Sequence, residues 1–195
     1  RDVARQPADT LKAAGIDPSI LNTDRGYGVV TMHRPSNVDH PEILQSLLGV
    51  LREISASLPL VFALHPRTKG NIERFGLEKL IDRERMIILP PQGYLEMLGL
   101  MASARIVLTD SGGLQEETTA LGIPCLTMRE NTERPITVEQ GTNTMVGRDV
   151  EAIRHHAAEI LAGHSKSGRT PELWDGHAAE RIAADLAAWL IARQS

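Results

Sequence analysis

The chain has 195 residues, 42% hydrophobic and 24% charged, which is the composition and length of one globular domain able to bury a core without disulfide or metal staples. Twenty-one Lys and Arg against 25 Asp and Glu leave a net charge of −4, which argues against a nucleic-acid binder working through a general basic field. The single cysteine, Cys125, excludes an internal disulfide framework and a Cys-rich zinc site, and no apolar run reaches the roughly 20 residues of a membrane span. A reducing, cytoplasmic setting with no membrane partner is therefore expected, and the start at Arg1 rather than Met reads as a piece of a longer protein.

Residues Arg1–Gly15 read as a helix, with Pro7 near its first turn and Gly15 stopping it, and a polar link, Asp17–Gly26, follows. Short β-branched runs then alternate with longer amphipathic stretches. Strands are predicted at Gly28–Met32, Leu60–Leu64, Met86–Leu89, Ile106–Thr109 and Cys125–Thr127, with a weaker sixth at Thr144–Val146. Helices are predicted at Pro41–Ala56, Lys69–Phe75, Tyr94–Ser103, Gly113–Leu121, Thr132–Glu139 and Val150–Ala162. This alternation predicts an α/β fold with a Rossmann-like, doubly wound parallel sheet. A Gly/Ser/Pro-bearing loop, His164–Gly176, leads to a last helix over His177–Ala192, with Ile182, Leu186, Trp189 and Leu190 at helical spacing. The expected division is 1–25, 26–163 and 164–195, with the terminal helices docking on a neighbouring structure.

In such a sheet, ligands bind beyond the carboxyl ends of the strands. After the fourth strand, Ser111-Gly112-Gly113 opens a helix, where unhindered N–H groups and the positive end of the helix dipole suit a phosphate. Glu117, four residues after Gly113, suits the hydroxyls of a ribose. The alternative is a tight strand-to-helix turn with Ser111 as N-cap. The pattern is neither G-x-G-x-x-G nor a Walker loop. His33-Arg34 after the first strand and His65-Pro66-Arg67 after the second each pair an imidazole with a fixed positive charge, which together suit an anionic ligand; the alternative for a histidine at a strand end is a hydrogen-bonded structural role. Neither has Cys or carboxylate neighbours at ligand spacing, so no metal is expected. Arg129 and Arg134 follow the fifth strand, as phosphate partners or as surface pairs with Glu130 and Glu133. Pro90-Pro91-Gln92-Gly93 is a rigid loop able to meet a base edge, or simply a helix start.

The segments TMHRPSNVD (Thr31–Asp39), PQGYL (Pro91–Leu95), LTDSGGLQEE (Leu108–Glu117) and TMRENTERP (Thr127–Pro135) resemble the C-terminal half of the UDP-N-acetylglucosamine 2-epimerase family, over about Gly26 to Gly147. The resemblance implies one half of a GT-B-type two-domain fold, in which residues 26–163 bind UDP. It implies that Ser111, Gly112 and Gly113 hold the pyrophosphate and Glu117 the ribose. Arg134 would hold a phosphate of UDP, Gln92 and Met97 would line the uracil, and His33 would be catalytic beside the diphosphate, with Arg34 next to it a substrate-binding candidate for its fixed positive charge. The implied reaction inverts C2 of the N-acetylglucosamine unit by elimination and readdition of UDP, without a cofactor or metal. The implied partners are UDP or a UDP-N-acetylhexosamine, the N-terminal half of the same enzyme, and a second copy in a homodimer. Rival readings are a related nucleotide-sugar glycosyltransferase and a non-catalytic UDP-sugar-binding module.

Overall fold

The computed structural model describes residues 4–21 and 25–193. Strands β1 (Gly28–Thr31), β2 (Leu60–Ala63), β3 (Met86–Leu89), β4 (Ile106–Thr109), β5 (Cys125–Thr127) and β6 (Asn143–Met145) form one parallel sheet in the order β3-β2-β1-β4-β5-β6. The described helices are α1 (Pro7–Ala13), α2 (Pro35–Val38), α3 (Pro41–Ser55), α4 (Pro66–Phe75), α5 (Tyr94–Ala102), α6 (Gly112–Leu121), α7 (Pro135–Glu139), α8 (Val150–Leu161) and α9 (Ala178–Ala192).

Alternate strand residues feed two separate cores. Val30, Phe62, Leu108 and Leu126 pack with Leu44, Leu47, Leu48 and Leu51 of α3 and Ile153 of α8. Val29, Val61, Ile87 and Val107 pack on the other face with Leu11 of α1 and Leu100 and Met101 of α5. Covering on both faces is what near-continuous apolar strands require. Gly28 is glycine for space: a Cβ there would lie 2.8 Å from Leu60 Cδ2 and 3.0 Å from Ile106 Cγ2, on the two neighbouring strands.

Five helices, α1 to α4 and α7, open with proline in their first turn, where the missing N–H costs nothing and φ is already helical. Two predicted starts move for this reason. The helix expected from Lys69 begins at Pro66, because the His65 side chain accepts the Arg67 N–H as its cap. The helix expected from Thr132 begins at Pro135, because Thr132 is tied into the preceding loop by hydrogen bonds. The short α2 was not foreseen.

The N-terminal helix is shorter than expected and docks within the chain itself. Leu11 is fully buried, and Arg5 N donates to Leu95 O at the start of α5 (3.1 Å). Residues 1–3 of that helix expectation, and 22–24 of the predicted link, lie outside the described residues. The α9 helix, by contrast, has no buried residue, and Ile182, Leu186, Trp189 and Leu190 are all more than half exposed. Among the described residues no helix is long and apolar enough to cross a membrane.

The strand order reverses direction between β1 and β4, which pair in register from Gly28↔Ile106 to Thr31↔Thr109. The segments after these two strands therefore flank the topological switch point, where open α/β sheets take their ligands.

Candidate functional site

The turn from β4 into α6 is built to stay open. Thr109 Oγ1 accepts the Ser111 N–H (2.9 Å), which fixes the turn from its strand side. Ser111 occupies the N-cap position with extended backbone, φ −80° and ψ 134°, yet its hydroxyl makes no capping hydrogen bond. The first turn of α6 carries no acidic residue either. Its leading N–H groups thus lack a side-chain acceptor among the described residues and lie at the positive end of the helix dipole, which is the physical recipe for an anion site.

Arg134 closes one side of this turn. A Cβ on Gly112 would lie 2.7 Å from Arg134 Nη1, so only glycine admits the guanidinium here, whereas a Cβ on Gly113 would meet nothing within 4 Å. Arg134 Nε sits 2.8 Å from Glu116 Oε2, an ion pair off the line of a hydrogen bond, and Nη1 is 3.5 Å from Glu133 Oε2. The loop carrying Arg134 is held by a buried polar network centred on Gln115. Gln115 Oε1 accepts from Thr132 Oγ1 (2.6 Å) and Asn143 Nδ2 (3.2 Å), and Thr132 Oγ1 in turn accepts the Arg134 N–H (3.0 Å). Glu117, one turn further along α6, is half-buried; burial, and secondarily the charge of Glu116, push its carboxyl above the ordinary range. With Glu116, Ala120 and Trp174 it lines a shallow recess of about 300 Å³.

The β1 and β4 segments are locked together by Asp110, a fully buried carboxylate that sequence reasoning did not single out. It accepts the N–H groups of His33 (3.0 and 3.1 Å) and Arg34 (2.8 Å) and Nδ2 of Asn37 (3.1 Å), and it lies 3.1 Å from His33 Nδ1. The available signal was an acid directly following a strand, Ile106–Thr109, that is buried along its whole length, a position that demands several donors. Asn37 Nδ2 also donates to Met128 O (2.9 Å), which extends the lock to the end of β5.

The expected site residues fall into separate groups. His33, Ser111, Gly112, Gly113, Glu117 and Arg134 cluster along α6 and the switch point. Arg34 joins them through its backbone, but its side chain enters a neighbouring cleft of about 360 Å³ with Arg129, Arg148 and Asn131, where Nε is buried without a hydrogen-bond partner among the described residues. Gln92 folds back on its own loop, Nε2 donating to Pro90 O (2.7 Å), and Met97 packs on the core face shared with Leu114 of α6. The second His-Arg pair is spent structurally, with His65 capping α4 and Arg67 pairing with Asp39. Arg129 is paired as well, at 2.8 Å and 3.1 Å from the two carboxylate oxygens of Glu133. An apolar cleft of about 460 Å³ between Leu64, Ile72, Ile88 and Pro90 takes in Pro90 and Pro91 of the loop before α5 but none of the side chains that the resemblance implies for the site. Among the described residues no group of three His, Cys, Asp or Glu side chains is placed to hold a metal ion.

Strand order and strand-end cluster together define a Rossmann-like α/β domain. A family model described as UDP-N-acetylglucosamine 2-epimerase matches residues 2–187, and the chain belongs to that family. A UDP-N-acetylglucosamine 2-epimerase from Methanocaldococcus jannaschii is 41% identical over 162 residues, covering 82% of this chain and 44% of that protein. A UDP-2,3-diacetamido-2,3-dideoxy-D-glucuronate 2-epimerase from Pseudomonas aeruginosa is 37% identical over 187 residues, covering 95% of this chain and 51% of that protein. The crystal structure of the Methanocaldococcus jannaschii UDP-GlcNAc 2-epimerase in complex with UDP-GlcNAc and UDP superposes with TM-score 0.74 at 36% identity, covering 93% of this chain and 52% of that one. The chain thus spans about half the length of the relatives it matches.

Proposed function

We propose that the chain is the UDP-binding half of a UDP-N-acetylglucosamine 2-epimerase that interconverts UDP-GlcNAc and UDP-ManNAc. The observation that carries this reading is the uncapped start of α6 at the switch point with the Arg134 guanidinium seated against Gly112. In this reading the N–H groups following Ser111 hold the pyrophosphate, Arg134 adds a fixed charge to it, and Glu117 accepts the ribose hydroxyls. Gln92 and Met97 border the uracil. His33 and Arg34 serve the anionic end of the ligand, with Arg34 reaching it from the neighbouring cleft.

The chemistry then follows from charge placement. A base from the other half removes the C2 proton, the C1–C2 double bond forms as the C1–O bond breaks, and UDP leaves with the electron pair. Negative charge grows on the diphosphate at that moment, and a helix start, an arginine and a histidine are oriented donors for it. Readdition of UDP, with a proton delivered to the opposite face of C2, completes the inversion. Residues 26–163 form the nucleotide-binding domain in this reading, and the exposed stripe of α9 packs against the missing half. The whole enzyme is a cytoplasmic homodimer that needs no cofactor.

The test is proton NMR of UDP-GlcNAc with the full-length enzyme in heavy water, with UDP-2,3-diacetamido-2,3-dideoxy-D-glucuronate as the comparison substrate. Deuterium at C2 of a manno product from UDP-GlcNAc is expected. Turnover of the comparison substrate alone would move the assignment to that sugar, and exchange of neither would overturn it.

A further inference from the structure

We infer that Gln115 is a positioning residue for phosphate: its buried amide bridges the open turn of α6 to the Arg134 loop and so sets where the guanidinium stands against that turn. The inference takes its ligand from the proposed phosphate role of the turn, but the bridge itself is independent of that reading. The Arg134 side chain pairs with Glu116 and Glu133, which are 45% and 61% exposed, and exposed pairs of this kind hold a loop weakly. Its main chain is held on both sides. The Arg134 N–H donates to Thr132 Oγ1 (3.0 Å), and the Arg134 carbonyl accepts from Thr137 Oγ1 (2.8 Å).

These two backbone groups dictate the rest of the network. A carbonyl only accepts, so the Thr137 hydroxyl gives its proton there and accepts from Asn143 Nδ2 (3.2 Å). Asn143 Oδ1 then accepts from Thr127 Oγ1 at the end of β5 (2.6 Å). Asn143 Nδ2 also meets Gln115, so the atom it faces is Oε1 (3.2 Å), and Thr132 donates its own proton to the same oxygen (2.6 Å). That leaves Gln115 Nε2 turned to the carbonyl of Ser111, the N-cap residue of α6 (3.3 Å). Gln115, Thr127, Thr137 and Asn143 are all buried to the last per cent, where water cannot replace a lost partner. Glutamine suits the place because one end accepts twice while the other donates. A glutamate could not donate to Ser111 O, and an apolar side chain would leave the Thr132 and Asn143 donors unmatched. The bridge thus ends on the two groups a phosphate would meet, the turn at Ser111 and the residue seated against Gly112. Being fully buried, Gln115 acts through them and not by touching the ligand.

The test has a ligand-free arm and a binding arm, both on the full-length enzyme. In amide hydrogen exchange without ligand, the Arg134 N–H is expected to be protected in the wild type and to exchange about 10-fold faster or more in Gln115→Met, with β1 and β4 much less affected. An unprotected Arg134 amide in the wild type, an unchanged one in Gln115→Met, or equal acceleration throughout the sheet would overturn the inference. In calorimetry, Gln115→Met is expected to weaken UDP roughly 10-fold and uridine by less than about 2-fold, since only UDP carries the phosphates. No loss for UDP, or equal losses for both ligands, would overturn the positioning role. If Gln115→Met does not fold, Thr132→Val and Thr132→Ser decide: the valine variant should lose UDP affinity and the serine variant, which keeps the hydroxyl, should retain it. Equal UDP affinities of those two would overturn the inference. A wild-type enzyme that binds UDP no more tightly than uridine would instead count against the phosphate site, and the exchange of the Arg134 amide would still decide the bridge.

Discussion

Replacing Gly112 with alanine separates the site from the fold it stands on. The added Cβ would lie 2.7 Å from Arg134 Nη1 and 3.2 Å from its Cζ, so the guanidinium must withdraw from the turn. The obstacle is the far end of a flexible side chain, and Gly112 does not have a positive φ, so the backbone need not move. Alanine at a helical position is favoured over glycine by up to about 1 kcal/mol, so thermal stability should hold or rise slightly. Loss of a charge-assisted hydrogen bond to phosphate costs about 1.5–3 kcal/mol, which is roughly a 10- to 100-fold increase in the Kd for UDP. Calorimetric titration with UDP and a thermal melt, on Gly112→Ala, Arg134→Ala and the double variant, measure both sides of this forecast. Because the two changes remove one contact, the double variant should bind no more weakly than Arg134→Ala alone. Wild-type affinity in folded Gly112→Ala, or losses that simply add, would refute the placement of Arg134 at the phosphate.

Three further outcomes are expected. His33→Asn in the full-length enzyme should lower kcat by on the order of 10²-fold while leaving the melting temperature nearly unchanged; a large drop in melting temperature with normal turnover per folded molecule would make His33 purely structural. Cys125 is fully buried, and that burial pushes its thiol up to about 11, so a disulfide reagent should modify it only as fast as the chain unfolds. Rapid modification of the native chain would contradict its position in β5. Hydrogen bonding from Arg129 holds the Glu133 carboxyl down from 4.5 to about 2, so this pair's contribution to stability is complete above pH 4.5 and is lost as pH falls through about 2. The Glu133 side-chain ¹³C resonance should titrate near that lower value and move up in Arg129→Ala, and a midpoint of 4.5 in the wild type would show that the pair does not form in solution.

Much of the sheet was legible because its strands are short apolar runs whose neighbours on both faces are apolar, a pattern carried entirely by local sequence. The Ser111-Gly112-Gly113 turn was legible for the same reason, since strand, glycines and helix are contiguous. What local sequence does not carry is pairing. Asp110 gains its meaning from His33, 77 positions away, and only the adjacency of β1 and β4 brings the two together. Likewise His65 and His33 look alike in sequence, each ending a strand before an arginine or proline. Their fates diverge because His65 meets the first turn of α4 and His33 meets a buried carboxylate. The late start of α7 has a similar origin, for Thr132 is drawn toward Gln115 on α6, a residue distant in the chain.

The uncovered state of α9 has a thermodynamic corollary. A 15-residue helix without a buried face lies near the length at which helices in water are only marginally stable. Local support includes the ion pair of Arg181 with Asp175, the contact of His177 with Glu180 and the Arg193 guanidinium over the Trp189 ring. Its amide protons should therefore exchange through an opening of their own, while those of β1 and β4 wait for the sheet to come apart. A surface that covers Ile182, Leu186 and Trp189 would then supply order as well as burial, so helix content becomes a readout of docking. Deuterium uptake confined to 178–192 would report, residue by residue, whether such a surface is engaged.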